Sequence, residues 1–268
     1  MENRKASGIF LGVVSVATLI VAIIGATFAY FSVSVTGESA INVSAYEFSA
    51  SMSISQVYPR TATDGIIPFN ASKVLSFTGV ETGVNDTNLL YALNNGTTSG
   101  NVKCIDDNNH QVCAVYKVTI FNNSKSSLTL AGHIVPTENL ASETRDGATG
   151  FMHLVYQGIN VVSGTAEGNN LVFSLDGDVQ EFDYDSETHI IEIAPDADSI
   201  NIGSITVPGA TTNAQSGETE QGKAEKYILI YLNDSGDQSS EMGARFSAQV
   251  TFSSDDENSR LTGTFNVS

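Results

Sequence analysis

The sequence contains no tryptophan, two cysteines and five prolines in 268 residues. Basic residues are also scarce: 12 lysines and arginines stand against 30 acidic residues, a formal net charge of −18. Without a basic stripe, a chain cannot displace the counterions of nucleic-acid phosphates, so nucleic-acid binding is excluded and docking on an anionic membrane is disfavoured. Hydrophobic residues make up 41% of the chain, too many for an acidic disordered protein. We therefore expect a folded, self-repelling extracellular domain.

The N-terminus carries one long apolar segment. Residues 9–31 contain no charged side chain and follow two basic residues. Their length suits a membrane-spanning helix, which needs roughly 20 residues. The segment ends in Thr27, Phe28 and Ala29, however, and small side chains at alternate positions are what a signal peptidase requires. Cleavage after Ala29 would leave Tyr30 as the first residue, whereas an uncleaved helix would tether the chain. Both alternatives place the rest of the chain outside the cytoplasm, because the positive end stays inside.

Beyond residue 35 the sequence is dominated by short strand patterns separated by turn residues. Residues 114–122 and 127–135 are two such strands, and the polar residues between them predict a hairpin. Further strands are expected at 41–54, 152–156, 158–162, 170–175, 189–194, 199–207, 226–232 and 245–253. A short helix is expected over residues 137–144 and a loop over 209–223. This pattern predicts an all-β protein built as an antiparallel β-sandwich.

The two cysteines, Cys104 and Cys113, flank the residues I-D-D-N-N-H-Q-V. Asp and Asn favour turns, and a hairpin here would bring the two Cα atoms within bridging distance. We therefore predict a disulfide, as is usual in oxidising compartments. A zinc site is the alternative, but His110 is the only histidine between the two thiols.

No sequence motif predicts catalysis. The sequence has no His-Glu-x-x-His and no Gly-x-Ser-x-Gly motif, and its four histidines are widely scattered. Acidic residues do cluster in two places, so calcium is a possible ligand, because it binds the oxygen atoms of such loops. Neither cluster fits the twelve-residue EF-hand loop, and a solvated acidic surface is the alternative. The calcium candidates are Asp176, Asp178, Asp234 and Asp237.

Residues 25–32, G-A-T-F-A-Y-F-S, resemble the end of the signal peptide in the TasA/camelysin family of secreted bacterial matrix proteins. In that family a dedicated signal peptidase cuts after the alanine that corresponds to Ala29. Looser similarity extends over residues 39–52, 116–130 and 226–252. The cysteine loop and residues 141–221 have no counterpart in the family pattern.

The resemblance implies a jelly-roll-like sandwich that assembles into extracellular fibres of a biofilm matrix, without enzymatic activity. Its implied partners are further copies of the chain, the signal peptidase and other matrix proteins. The expected organisation is a signal peptide or membrane helix at 1–29, a donor strand at 30–38, a sandwich at 39–254 with an insertion around 141–221, and a C-terminal tail at 255–268. A membrane-tethered adhesin or binding module is the alternative, and a camelysin-like metallopeptidase is a weaker one.

The expected donor strand begins Y-F-S-V-S-V. Phe31, Val33 and Val35 alternate with serines, which is typical of a strand buried on one face. In the family the N-terminal segment of one subunit completes a sheet of its neighbour. Such addition would pair the backbone of the segment and bury its apolar face. Pairing within the same domain, and the end of an uncleaved membrane helix, are the alternatives.

We predict that the mature protein begins at Tyr30 and is released from the membrane, because small residues end the apolar segment. N-terminal sequencing of protein recovered from the culture medium measures this. Recovery of chains with an intact Met1 from the membrane fraction would contradict it and favour the tethered alternative.

Overall fold

The computed structural model describes residues 38–39, 42–44, 49–60, 65–69, 86–95, 103–105, 110–142, 146–164, 171–182, 199–213, 217–233, 237–254 and 260–267. All of them belong to the unit Gly37–Ser268. The cleavage site at Ala29 and Tyr30, the donor residues Phe31, Val33 and Val35, the calcium candidate Asp234 and the predicted strand 189–194 lie outside the described residues. Within these ranges no helix has the length and apolarity needed to cross a membrane.

Most described residues are in β-strands. The strands are β1 (Glu38–Ser39), β2 (Asn42–Ser44), β3 (Ala50–Tyr58), β4 (Pro68–Phe69), β5 (Ala114–Asn122), β6 (Leu128–Leu140), β7 (Leu154–Ser163), β8 (Val172–Glu181), β9 (Ile200–Val207), β10 (Thr211–Thr212), β11 (Thr219–Glu220), β12 (Gly222–Asn233), β13 (Arg245–Ser253) and β14 (Arg260–Val267). The described residues also include one α-helix, α1 (Asp86–Asn94), and a 3-10 turn at Ser239–Glu241.

The strands form two main sheets. Sheet A has the order β1-β3-β5-β12-β7-β8, and β4 pairs with the end of β12. Sheet B has the order β2-β14-β13-β6-β9, and β10 and β11 form a separate small hairpin. The β4–β12 pair is parallel, whereas the other strand pairs among the described residues are antiparallel. The prediction of an all-β, mostly antiparallel protein is confirmed.

The main core lies between the two sheets, because alternate residues of each strand point inward. On β3, Met52 and Ile54 are buried while the serines beside them are partly exposed. They pack with residues of sheet B such as Val250 and Phe265. The ring of Phe265 lies 4.6 Å from that of Tyr116 on the opposite sheet. Burial of each such side chain stabilises the fold by roughly 1.5–3 kcal/mol.

A second core lies on the outer face of sheet A. Helix α1 and the cysteine loop cover this face, so that strands β5, β12 and β7 are buried on both sides. Leu89 and Leu93 of the helix pack in the same cluster as Val115, Leu229 and other sheet residues. Helix α1 was not predicted from the sequence. We call helix α1 and the cysteine loop together the cap.

The predicted hairpin of residues 114–122 and 127–135 is wrong, although both strands exist. Strand β5 belongs to sheet A and β6 to sheet B, so the turn crosses from one sheet to the other. Buried Asn122 holds this crossing: its side-chain amide donates to the carbonyl oxygens of Ser126 and Pro208, and its oxygen accepts from Ser124. Gly222 is needed beside it, since a Cβ there would lie 1.7 Å from the oxygen of Pro208.

Three further expectations are corrected. Residues 260–267 are not part of a tail, because β14 pairs with β13 along its whole length and buries Leu261 and Phe265. Residues 137–140 extend β6 instead of forming a helix, since pairing with β13 outweighs local preference. Residues 141–221 are not a separate insertion, because β7 pairs with β12, and β9 with β6.

We predict that Phe265→Ala lowers the free energy of unfolding by about 3–5 kcal/mol, because it empties a filled core site. Denaturant unfolding followed by circular dichroism measures the change. Asn266→Ala is the matched control, since its exposed side chain should contribute less than about 0.5 kcal/mol. Equal effects of both substitutions would mean that residues 260–267 are not packed into the sandwich.

Candidate assembly site

The chain joins the sandwich at one lateral edge. Strand β1 pairs with β3 only at Ile54 and Ser55, and β2 pairs with β14 only at residues 260–262. The expected donor residues directly precede β1 in the sequence. The described chain therefore begins at the β3 and β14 edge, with a short strand on each sheet.

A gap opens inside sheet A, between β12 and β7. These strands pair from Leu232 and Leu154 to Tyr227 and Ile159, and the pairing ends there. Beyond that point residues 222–226 of β12 keep only β5 as a neighbour, and residues 160–163 of β7 keep only β8, among the described residues. We call this gap between residues 222–226 and 160–163 the wedge. With respect to the described strands, both of its sides present unpaired backbone edges, which is the usual requirement for strand addition.

A cavity of about 610 Å³ occupies the wedge. This size falls within the roughly 300–1,000 Å³ typical of binding pockets. Its apolar lining comes from Ile159, Val161, Leu171 and Ile205. Ser204 and Ile205 belong to β9 of the other sheet, so the cavity reaches from one sheet to the other.

The tip of the β7–β8 hairpin beside the wedge is unusually apolar for a surface. Val161 and Val172 are 37% and 39% exposed, and Val162 is 64% exposed. These three valines are among the seven large hydrophobic residues that are exposed in the described part of the chain. Surface apolar residues that cluster in this way often mark an interaction site.

Two charged residues of β12, Glu225 and Lys226, line the wedge. Glu225 forms ion pairs with neighbouring lysines. Glu225 accepts from Lys223 at 2.7 Å and lies 3.7 Å from Lys117. Burial raises the pKa of Glu225, but these two cations outweigh it, and its pKa lies below the ordinary range. The amine of Lys226 has no side-chain hydrogen bond or ion pair among the described residues. Burial lowers its pKa, and the negative charge of Asp176 opposes this effect in part.

The predicted pairing of Cys104 and Cys113 is present, with Cα atoms 4.7 Å apart. The loop is attached to the helix, because the amide of Cys104 donates to the carbonyl oxygen of Ala92 at 3.0 Å. For so short a loop the chain-entropy model gives about 2–3 kcal/mol of stabilisation. The disulfide therefore holds the cap on sheet A.

Lys103, next to the disulfide, is a buried lysine that the sequence did not single out. Its amine donates to the carbonyl oxygen of Leu171 and lies 5.0 Å from the ring centre of Tyr58 and 5.8 Å from that of Phe173. Cation–π attraction offsets part of the cost of burying the charge. Burial still lowers the pKa of this lysine. Lys103 thus links the cap to β8.

Three of the calcium candidates, Asp176, Asp178 and Asp237, lie among the described residues. Asp176 and Asp178 lie at a bulge of β8, where the buried side chain of Gln157 donates to the carbonyl oxygens of Asp176 and Gly177. Asp237 accepts from the amide of Ser239. No group of three potential metal ligands occurs in the described ranges. The Asp-Gly-Asp sequence forms a β-bulge within a strand. The same residue types are also common in turns.

A buried carboxylate that was not predicted from the sequence lies before β13. Glu241 is 3% exposed; it accepts from the amide of Met152 at 2.8 Å and from Gln238 at 3.1 Å. His153 lies 2.8 Å away through Nδ1. The alternation of apolar and polar residues predicts burial only within strands. It cannot predict the burial of Glu241, which lies on a 3-10 turn. These bonds fasten the segment before β7 to the segment before β13.

No protein-family model, no curated protein and no solved structure matches this chain. The likeness to the TasA/camelysin family therefore rests on the residues quoted above and stays a prediction.

We predict that stability falls as the pH rises above 10. Burial raises the pKa of Tyr116 and Tyr227, and raises that of Tyr156 to about 12. The unfolded chain loses these protons first, near pH 10. The stabilisation is therefore fully present below pH 10 and is lost as the pH rises through the raised pKa of each tyrosine in the folded chain.

Denaturant unfolding at pH 9, 10.5 and 11.5 measures this loss. The chain has no tryptophan, so tyrosinate absorbance reports directly on these residues. Tyr156→Phe is the control. It should make the free energy of unfolding depend less steeply on pH, because one of the titrating tyrosines is removed. The same slope in the variant and the original chain would show that Tyr156 does not contribute.

Proposed function

We propose that this protein is a secreted structural subunit that assembles into an extracellular fibre or biofilm matrix by donating its N-terminal strand to a neighbour. The observation that carries the proposal is the position of the alternating segment with Phe31, Val33 and Val35. It lies after the apolar N-terminal segment and immediately before Glu38, where the described sandwich begins. The two described cores contain only residues from Ala50 onward.

The energetics favour a donated strand over a free one. Three large apolar side chains in water would forgo roughly 1.5–3 kcal/mol each relative to burial. Pairing with an open strand edge would also satisfy the backbone of the segment. Residues 30–268 hold 10 basic and 29 acidic residues, a formal charge of −19. Repulsion between such subunits opposes assembly, and salt would screen it.

A jelly-roll-like architecture is part of the proposal. In its support, the chain passes repeatedly between the sheets: β5 lies in sheet A, β6 in sheet B, β7 and β8 in sheet A and β9 in sheet B. It then returns to sheet A with β12 and to sheet B with β13. Such alternation is what Greek-key and jelly-roll connections produce.

A membrane-tethered surface adhesin is the second candidate. Its support is the length of the uncharged segment 9–31, which suffices for a membrane span. A retained helix would keep the segment at residues 31–35 next to the membrane and unavailable to a neighbour.

The proposal is tested with the chain 30–268, the truncated chain 36–268, and the chain 30–268 carrying Val33→Asp. Sedimentation at low and moderate salt measures assembly, and circular dichroism checks the fold. We expect fibres only from the unmodified chain, formed faster at moderate salt, because Val33→Asp places an unpaired charge in an apolar interface.

Ser34→Asp is the matched control. It adds the same charge to the opposite face of the segment, so it should still assemble. Fibres formed equally well by the truncated chain would exclude strand donation and favour the surface adhesin.

A further inference from the structure

We propose that the wedge is the acceptor, and that residues 31–35 of a second copy of this chain fill it. This inference rests on the proposed strand donation but names its partner surface. The wedge lies between two strands of sheet A, so an inserted segment would find unpaired backbone on both sides.

The dimensions of the two parts agree. Residues 222–226 of β12 form five consecutive positions without a neighbour on the wedge side, within the described chain. Phe31, Val33 and Val35 likewise span five residues. A strand has the same rise per residue on both sides of a pairing, so the segment matches the unpaired edge in length. It can pair only where β7 stands about two strand spacings, or about 10 Å, from β12.

The cavity has a mixed lining, in which polar atoms such as those of Glu225 and Lys226 make up the larger part. Its apolar side chains, Ile159, Val161, Leu171 and Ile205, are the ones that the phenylalanine and two valines of the segment would contact. Residues 30–37 carry no charged side chain, so no unpaired side-chain charge would enter the wedge. The serines between the apolar residues are small enough for a narrow gap.

The segment cannot fill the wedge of its own subunit. The order of sheet A puts β3, β5 and β12 between β1 and the wedge, which amounts to four strand spacings, or about 19 Å. Val35 precedes Glu38 by three residues, which reach at most about 11 Å when fully extended. The occupant must therefore come from another copy, and each subunit can both donate and accept.

Lys226 provides a reporter of occupancy. Its amine lines the cavity and is partly buried there, and an inserted strand would cover it. Lys125, exposed in the turn between β5 and β6, should keep its reactivity in the assembled protein. We expect amine acetylation, mapped by mass spectrometry, to fall at least several-fold at Lys226 and to stay unchanged at Lys125 on assembly.

The decisive test uses Val161→Arg, which places a long charged side chain in the wedge, and Val162→Arg as its matched control. Val162 is the next residue of β7 but does not line the cavity. In the chain 30–268, Val161→Arg should leave the protein monomeric while Val162→Arg assembles. The truncated chain 36–268 lacks the donor but keeps every described strand and core residue.

Mixing separates the two roles. Val161→Arg can donate but not accept, and the truncated chain can accept but not donate. Together they should form a 1:1 dimer, measured by sedimentation or light scattering, although each alone is monomeric. The synthetic peptide of residues 30–37 should likewise bind the truncated chain and protect its Lys226.

Fibres formed by Val161→Arg as readily as by the unmodified chain would overturn the wedge as acceptor, while the inertness of the truncated chain would leave strand donation intact. A mixture that stays monomeric, with Lys226 unprotected by the peptide, would overturn it as well. Assembly of the truncated chain would instead remove the proposed function itself.

Discussion

The unequal pairing of β12 is the constraint on which the rest of the structure depends. This strand pairs with β5 along nine residues but with β7 along only six. Where both neighbours are present, residues 227–232 are buried on both faces, and the two cores meet at this strand. Where β7 diverges, the same strand carries lysines and a glutamate and borders a cavity. One strand thus provides both the centre of the domain and its gap.

Burial on both faces explains why the cap is needed. A sandwich alone would leave the outer face of sheet A in water, with Val115, Leu229 and Tyr231 exposed. Helix α1 is only nine residues long, and an isolated helix of that length is not stable in water. Its stability therefore comes from packing on the sheet and from the loop closed by Cys104 and Cys113. The disulfide acts on this cap more than on the sandwich.

Local pattern predicted strands well and their partners poorly. Residues 114–122 and 245–253 are strands with the predicted bounds, because alternation and β-branched residues decide a strand locally. The prediction of a β5–β6 hairpin was wrong because a polar turn allows the chain either to return in the same sheet or to cross to the other sheet. Asn122 decides between these through Pro208, which is 86 residues away. The wedge was equally invisible, since a missing strand pair leaves no local signal.

The charge of the protein decides which kind of contact can hold copies of it together. Copies of the mature chain, residues 30–268 with a formal charge of −19, repel one another, and each exposed ion pair would contribute less than about 1 kcal/mol. An uncharged strand that is added to a sheet avoids this cost, because its stabilisation comes from buried area and backbone hydrogen bonds, which salt does not screen. Such a contact also has one register and one direction. If the strand of one copy joins a different surface of the next, as proposed, the contact is head-to-tail and continues into a filament unless its rotation closes a ring.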